Sequence, residues 1–323
     1  MTDLVRRLSA NGKRRFDFGS WIIIYLTLVL FVFLSVAKEN FLTFNNVHSI
    51  LFNVSFYYFA AIGFTLLIIM GELDMSVGSL FGFGGAMMSF FVFLYRMPVV
   101  PAIILAMLTA GLIGLVTGFL IVKFKLNSMM VTIGVMMAVR GVVWILVNRF
   151  SGRQLAMGAR GFVSMNVFGV RWTIIAMILS ALILEIFLYK SRFLKQLYYI
   201  GQNVNTSVLY GLNAGIVKCV CFVVSAMFSA FGGVLMTARL AHPNVSVGNN
   251  LEVNIITAAV IGGASIFGGR GSMVRTMLGI FFVFTLQNGM TSFNVHTYVQ
   301  HVIMGIVLIL AIYLDVSMNV KRA

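Results

Sequence analysis

The sequence predicts an all-α integral membrane protein of about ten transmembrane helices, some of them broken. Three observations predict it. Of 323 residues, 60% are apolar and only 10% are Asp, Glu, Lys or Arg, and the mean hydropathy is +1.02. A soluble domain is ~45–50% apolar and ~25% charged, so a chain this short of charge cannot cover a water-facing surface. That excludes a soluble enzyme or binding module. The apolar residues also fall in long continuous runs, not in the short alternating segments of a membrane β-barrel. Finally, there are ten such runs, and all but one approach the ~20 residues that a crossing needs.

The runs are Ser20–Ala37, Asn53–Met70, Ser76–Tyr95, Val99–Val122, Met129–Val147, Trp172–Tyr189, Ile216–Met236, Val253–Phe267, Met273–Thr291 and Tyr298–Asp315. Val253–Phe267 is short for a full crossing. The first run follows a basic start, Arg6, Arg7, Lys13, Arg14 and Arg15, and precedes Lys38 and Glu39 instead of a small-residue cleavage site. It reads as a signal anchor with the N-terminus inside. With ten crossings, fifteen Lys and Arg fall in inside segments and seven in outside segments. Basic residues collect in cytoplasmic loops, so the net charge of +15 reads as topology, not as a nucleic-acid footprint. Both termini, with Lys321 and Arg322, are then cytoplasmic. Arg149, Arg153, Arg160 and Arg171 fall on the outer side, against the trend.

No gap is long enough for a soluble domain, so residues 1–323 form one transmembrane domain. It has a cytoplasmic tail, 1–19, and one long inner loop, 190–215. Leu73-Asp74-Met75-Ser76-Val77 is followed by Gly84-Gly85-Ala86, and Leu251-Glu252-Val253-Asn254-Ile255 by Gly262-Gly263-Ala264. Ten residues separate the acid from the first glycine in both. The two stretches run in opposite directions through the expected topology, as in an inverted repeat of five plus five spans.

Ionisable groups at membrane depth cost ~2.5–3.5 kcal/mol on insertion scales and face a cavity or a partner. Asp3, Asp17 and Glu39 fall in solvated segments. Asp315 reads as interfacial near Lys321 and Arg322, and Glu185 as snorkelling within reach of Lys190 or Arg192. Glu72, Asp74 and Glu252 each sit where a span breaks beside glycine. They serve as capping groups of broken helices, as lining of a pathway or gate, or as both. Arg140, within an apolar span, needs an acid or several carbonyls; Glu72, Asp74 and Glu252 are the candidate acids. His296 and His301, five apart, face differently and read as interfacial. Cys219 and Cys221 point to different faces and read as small core residues. No grouping has metal-ligand spacing, no nucleophile set is present, and no cofactor is expected.

In the inner loop, Gly201 can end one helical piece and Asn203 or Asn205 can cap another. Val204, Val208 and Leu209 then share one side of a short amphipathic helix ended by Gly211. Such a helix at the membrane surface suits docking into another protein's groove, or lies as an ordinary interfacial helix. No Gly-x-x-x-x-Gly-Lys-Ser/Thr phosphate loop occurs, since Gly12-Lys13 lacks both the upstream glycine and the hydroxyl. Any ATPase is therefore a separate chain.

Three stretches carry a family resemblance. Gly71-Glu-Leu-Asp-Met-Ser-Val-Gly78 looks like Gly-Gly-Ile-Asp-Leu-Ser-Val-Gly. Tyr199-Ile-Gly-Gln-Asn-Val-Asn-Thr-Ser-Val-Leu-Tyr-Gly-Leu212 looks like a loop of Ala-Ile-Gly-Gly-Asn, small residues and Ser-Gly-Ile. Val260-Ile-Gly-Gly-Ala-Ser-Ile-Phe-Gly-Gly-Arg-Gly271 looks like Val-Ile-Gly-Gly-Thr-Ser-Leu-x-Gly-Gly-x-Gly. In order and spacing the chain resembles the permease subunits of bacterial ABC importers for monosaccharides, of the ribose, xylose and galactofuranose type. Glu72, Gln202, Thr206-Ser207 and Arg275 depart from the usual residues.

The resemblance implies translocation of a monosaccharide across the bacterial inner membrane. It implies an ABC ATPase subunit, a periplasmic sugar-binding protein and a second permease subunit as partners in the lipid bilayer, and no nucleic acid. It also implies ATPase coupling through Gly201, Gln202, Asn203, Thr206, Ser207 and Gly211. The alternatives are an ion-coupled secondary transporter, which needs intramembrane acids and no ATPase, and an intramembrane enzyme, for which no reacting set is visible.

Overall fold

Each apolar run carries a helix in the computed structural model, which describes residues 18–39, 41–150, 152–155, 157–209 and 211–320. In chain order these are α1 (Phe18–Ala37), α2 (Phe44–Ile69), α3 (Val77–Tyr95), α4 (Val99–Phe124), α5 (Ser128–Arg149), α7 (Trp172–Lys190), α10 (Ala214–Leu240), α11 (Leu251–Ile261), α12 (Met273–Ser292) and α13 (Thr297–Val320). Three short helices lie between them: α6 (Met157–Ser164), α8 (Arg192–Gln202) and α9 (Val204–Leu209). The gap Asn148–Arg171 also carries secondary structure. It holds α6 and a hairpin of β1 (Asn166–Val167) with β2 (Val170–Arg171), paired antiparallel.

Among the described residues seven helices, α2, α3, α4, α5, α7, α10 and α13, are long and apolar enough to cross a membrane. Ile23–Ala37 within α1 and all of α11 are shorter apolar stretches. The 11 residues of α11 rise about 16 Å, roughly half of a ~30 Å hydrocarbon core. In α12, Arg275, Gln287 and Asn288 lower the hydropathy of a 20-residue helix. The N-terminal basic residues, Asp3, Asp17, Lys321 and Arg322 lie outside the described residues.

Helix starts follow side-chain caps. Asn127 accepts from Met130 N, Asn213 from Ile216 N, and Ser272 from Arg275 N. Each satisfies a backbone donor that the first turn leaves open.

The helix at the centre is α10, packed along α2, α3 and α4. Small residues make this possible, because in lipid helices associate by close packing and not by hydrophobic exclusion. A side chain at Gly233 would collide with the Phe81 carbonyl, and one at Gly84 with Ala230. The two echoing stretches differ locally. Gly84-Gly85 lie mid-helix in α3, whereas Gly262 caps α11 and Gly263 takes φ +85° beyond it. Of the two cysteines, Cys221 is buried and Cys219 half-buried, both as free thiols.

Candidate functional site: helix breaks, a glycine node and a polar cavity

Between α2 and α3 the chain leaves helical geometry at Gly71, whose φ of +76° suits glycine. An opened backbone at this depth must find partners inside the protein, and it does. Leu73 N donates to Ser128 Oγ (3.3 Å) and Met75 N to Thr132 Oγ1 (3.0 Å), both on α5. Asp74 is 1% exposed. It accepts from Ser76 N (2.9 Å), Ser76 Oγ (2.5 Å) and Ser225 Oγ of α10 (3.0 Å). Glu72 pairs with Lys218, also on α10. Residues 218 and 225 are two turns apart and share a face, so both acids of the break fasten it to one stripe of the central helix.

The second break precedes α11, where Gly248 has φ +79° and Asn250 φ +56°. Arg140 of α5 reaches it: Nη1 donates to Val247 O (3.1 Å) and Nη2 to Gly248 O (2.9 Å). Of the partners considered for Arg140, carbonyls bond it directly. Glu252 is close enough for its charge to interact with Arg140. It is almost fully buried, and its Oε2 has no hydrogen-bond partner. The start of α3 meets this break directly, since Gly78 abuts both Gly248 O and Glu252 Oε2.

A third junction lies at the end of the bundle that carries α8 and α9. The helix α8 runs through Gly201 and ends only after Gln202, so Gly201 is a point of close approach and not a terminator. A side chain there would strike Ile69 O and Gly269 N (2.5 Å). Gly269 N donates to Ile69 O (2.8 Å), and a side chain at Gly268 would strike Gly71 N and Gly201 O. The end of α2, the end of α8 and the α11–α12 loop therefore meet backbone to backbone. Tyr198 of α8 adds a hydrogen bond to Gly271 O (2.9 Å).

Two acids also hold this loop, which corrects their expected roles. Glu185 does not snorkel towards Lys190 or Arg192. It caps α12, accepting from Ser272 Oγ (2.9 Å) and Met273 N (2.7 Å). Asp315 is 8% exposed and so is not an interfacial side chain. It accepts from Ser265 Oγ (3.1 Å) and Ile266 N (3.2 Å). Unpaired loop donors at the start of a helix make a stronger demand on a carboxylate than distant surface cations do.

Beyond the node, Asn203 Oδ1 accepts from Thr206 N (3.0 Å) and caps α9, as the spacing predicts. Ser207 is 2% exposed and bonds Val204 O. Gln202, Asn203, Thr206 and Gly211 are exposed, and Gly211 takes φ +76° with open space around it. The side chains of Val208 and Leu209 lie outside the described residues.

At the opposite end of the bundle a cavity of about 400 Å³ opens between α2, α11, α12 and α13. A second, of about 250 Å³, shares Tyr57, Phe284, Gln287 and Gln300 with it. Tyr57 stacks between Phe284 (centroids 4.0 Å apart) and Phe81 (5.6 Å).

The family described as branched-chain amino acid transport system / permease component matches residues 46–312. The chain belongs to this permease family. It is 31% identical over 307 residues to the L-arabinose ABC transporter permease protein of Azospirillum brasilense, covering 93% of this chain and 89% of that one. The ribose import permease protein of Bacillus subtilis is 30% identical, with 89% of each chain covered. The D-allose transport system permease protein of Escherichia coli is 28% identical, with 95% of each covered. No solved structure matches the chain.

The permease is thus a transport subunit, not an enzyme. Among the residues singled out from sequence, the fold brings Arg140 and Glu252 together at the second break. Glu72 and Asp74 meet at the first, and Gly201 joins that break to α8. Of those residues His301, read as interfacial, lines the polar cavity, and the cavity's carboxamides are not singled out as a site. Carboxamides spread over four helices carry no charge and no spacing, so a search for ionisable groups passes over them; only the fold gathers them.

Proposed function

We propose that the permease is the translocating subunit of an ATP-driven importer for a monosaccharide. It works with a separate ABC ATPase, a periplasmic sugar-binding protein and a second permease subunit, in a bacterial inner membrane with both termini cytoplasmic. The single observation that carries this reading is the glycine node. The surface segment α8–α9 is fastened, without intervening side chains, to the break after α2 and to the loop after α11. A push on α8 from a cytoplasmic motor would reach both interrupted helices through backbone contact. The relatives named for arabinose, ribose and allose support the sugar.

The family description names branched-chain amino acids instead. The cavity chemistry favours the sugar: among the described residues neither lining contains Asp, Glu, Lys or Arg to meet a zwitterion. Against an ion-coupled transporter stands the occupancy of Asp74 by three hydroxyl and amide donors.

In this reading residues 1–323 are one domain with ten membrane segments, α11 entering only part-way. An inverted relation of the halves fits one feature. Both α3 and α11 begin where Gly78 meets Gly248, and they run to opposite ends. Within 190–215, Gln202, Asn203 and Thr206 touch the ATPase, Gly201 and Ser207 hold the segment in shape, and Gly211 turns the chain out of α9. Glu72, Asp74, Arg140 and Glu252 anchor the breaks that gate the path.

The test is Thr206→Trp, at an exposed site whose backbone tolerates any side chain. It is expected to abolish co-purification of the ATPase and sugar uptake while the permease stays inserted and monodisperse. Gly161→Trp, at an exposed position of α6 with no atom within 4 Å, is the matched control. Normal uptake and normal co-purification for Thr206→Trp would show that α9 is not the contact.

A further inference from the structure

The cavity at the end opposite α8 holds polar groups that the fold itself leaves unused. Among the described residues the side chains of Asn249, Asn254 and Gln287 make no hydrogen bond, although all three line the cavity. Gln300, also in the lining, donates its amide to Val295 O (2.9 Å) and Thr291 Oγ1 (3.4 Å), and its carbonyl oxygen has no partner among the described residues. Asn254, Gln287 and Gln300 are half-buried while Asn249 is exposed at the rim, and half-buried polar groups without partners are costly unless water or a ligand satisfies them. A carboxamide presents both donors and an acceptor, so a cluster of them suits a ligand whose groups also do both. Hydroxyls have that property; carboxylates and ammonium groups do not.

Charge is absent as well. His301 is the one titratable side chain besides Tyr57 in the linings, and no Asp, Glu, Lys or Arg lines them among the described residues. The floor is apolar and stiff. Tyr57 lies between Phe284 and Phe81 with interplanar angles of 5° and 17°, joining α2, α12 and α3. At about 400 Å³ the space falls in the range of small-ligand sites, about 300–1,000 Å³.

From these features we infer that the permease carries its own vestibule for an uncharged polyol. Gln287, Asn254, Asn249 and Gln300 bind its hydroxyls, and the three stacked rings close the floor beneath it. The vestibule rests on the reading of the chain as a sugar permease and adds a selective step within the membrane subunit. Sugar delivered to this end is held there until the breaks at Gly71 and Gly248 rearrange.

The experiment uses the full complex of permease, ATPase and binding protein in proteoliposomes, with radiolabelled D-ribose, L-arabinose and D-allose as probes. Gln287→Leu and Asn254→Leu, made singly, remove hydrogen-bonding capacity at nearly constant volume. Each is expected to cut sugar uptake at least fivefold, while ATP hydrolysis and co-purification stay within twofold of wild type. Met137→Leu, on the exposed side of α5, is the reference. Unchanged uptake by both leucine variants overturns the vestibule. So does a parallel fall in ATP hydrolysis or assembly, which would make the side chains structural. A wild-type complex that moves none of the three sugars contradicts the sugar reading itself, an outcome distinct from both.

Discussion

Lys218 and Glu72 show at the scale of single residues how this fold uses its few charges. Each is mostly buried, at 18% and 12% side-chain exposure, and each loses its counter-charge if the other is removed. Breaking such a pair by one substitution is more harmful than removing both partners. Lys218→Met should therefore lower thermal stability, and adding Glu72→Gly should restore part of the loss, with a coupling of about 1–3 kcal/mol. Thermal melting of the four purified proteins checks this; additive effects would mean that the pair is incidental. Asp74 differs, because its donors are hydroxyls and an amide from Ser76 and Ser225. Its cost in lipid made it visible in the sequence as a residue needing partners. The partners stayed hidden, because Ser225 is 151 residues away and a serine carries no pattern.

Elements became legible to different degrees for physical reasons. The ten helices follow from apolar runs, since hydrophobic length is a local property. The hairpin and α6 did not, being short pieces held by tertiary contacts such as Trp172 Nε1 to Phe162 O (2.7 Å). The segment α8–α9 was placed by its glycine and asparagine spacing, yet the work done by Gly201 was misread. Sequence offers it as a helix stop, while the fold uses its missing side chain to admit Ile69 O. Gly201→Val should accordingly push α8 off the end of α2 and cost about 1–3 kcal/mol, the usual penalty of overpacking. Because Gln202, Asn203 and Thr206 remain exposed, the ATPase should still co-purify, but uptake should fall at least tenfold. Gly134→Val, where no atom lies within 4 Å, should be tolerated. Equal uptake by the two variants would remove the node from the coupling route.

Across the whole molecule, two interrupted helices meet at Gly78 and Gly248 in the middle of the bundle. One end carries the node and the exposed residues of α8–α9, and the other carries the polar cavity. In the proposed cycle a force applied at one end acts on a ligand at the other through parts that already touch. The sequence holds no phosphate loop, so an ATP-driven cycle would draw on a partner chain. The central claim is that the motor is ATP hydrolysis by a partner chain. The most direct measurement is uptake of radiolabelled D-ribose, L-arabinose and D-allose into proteoliposomes holding permease, ATPase and binding protein, with ATP supplied to the ATPase side and proton and sodium gradients collapsed by ionophores. Uptake that requires ATP and persists without ion gradients is the predicted result. Uptake by the permease alone, driven by a proton or sodium gradient and indifferent to ATP, would contradict the claim.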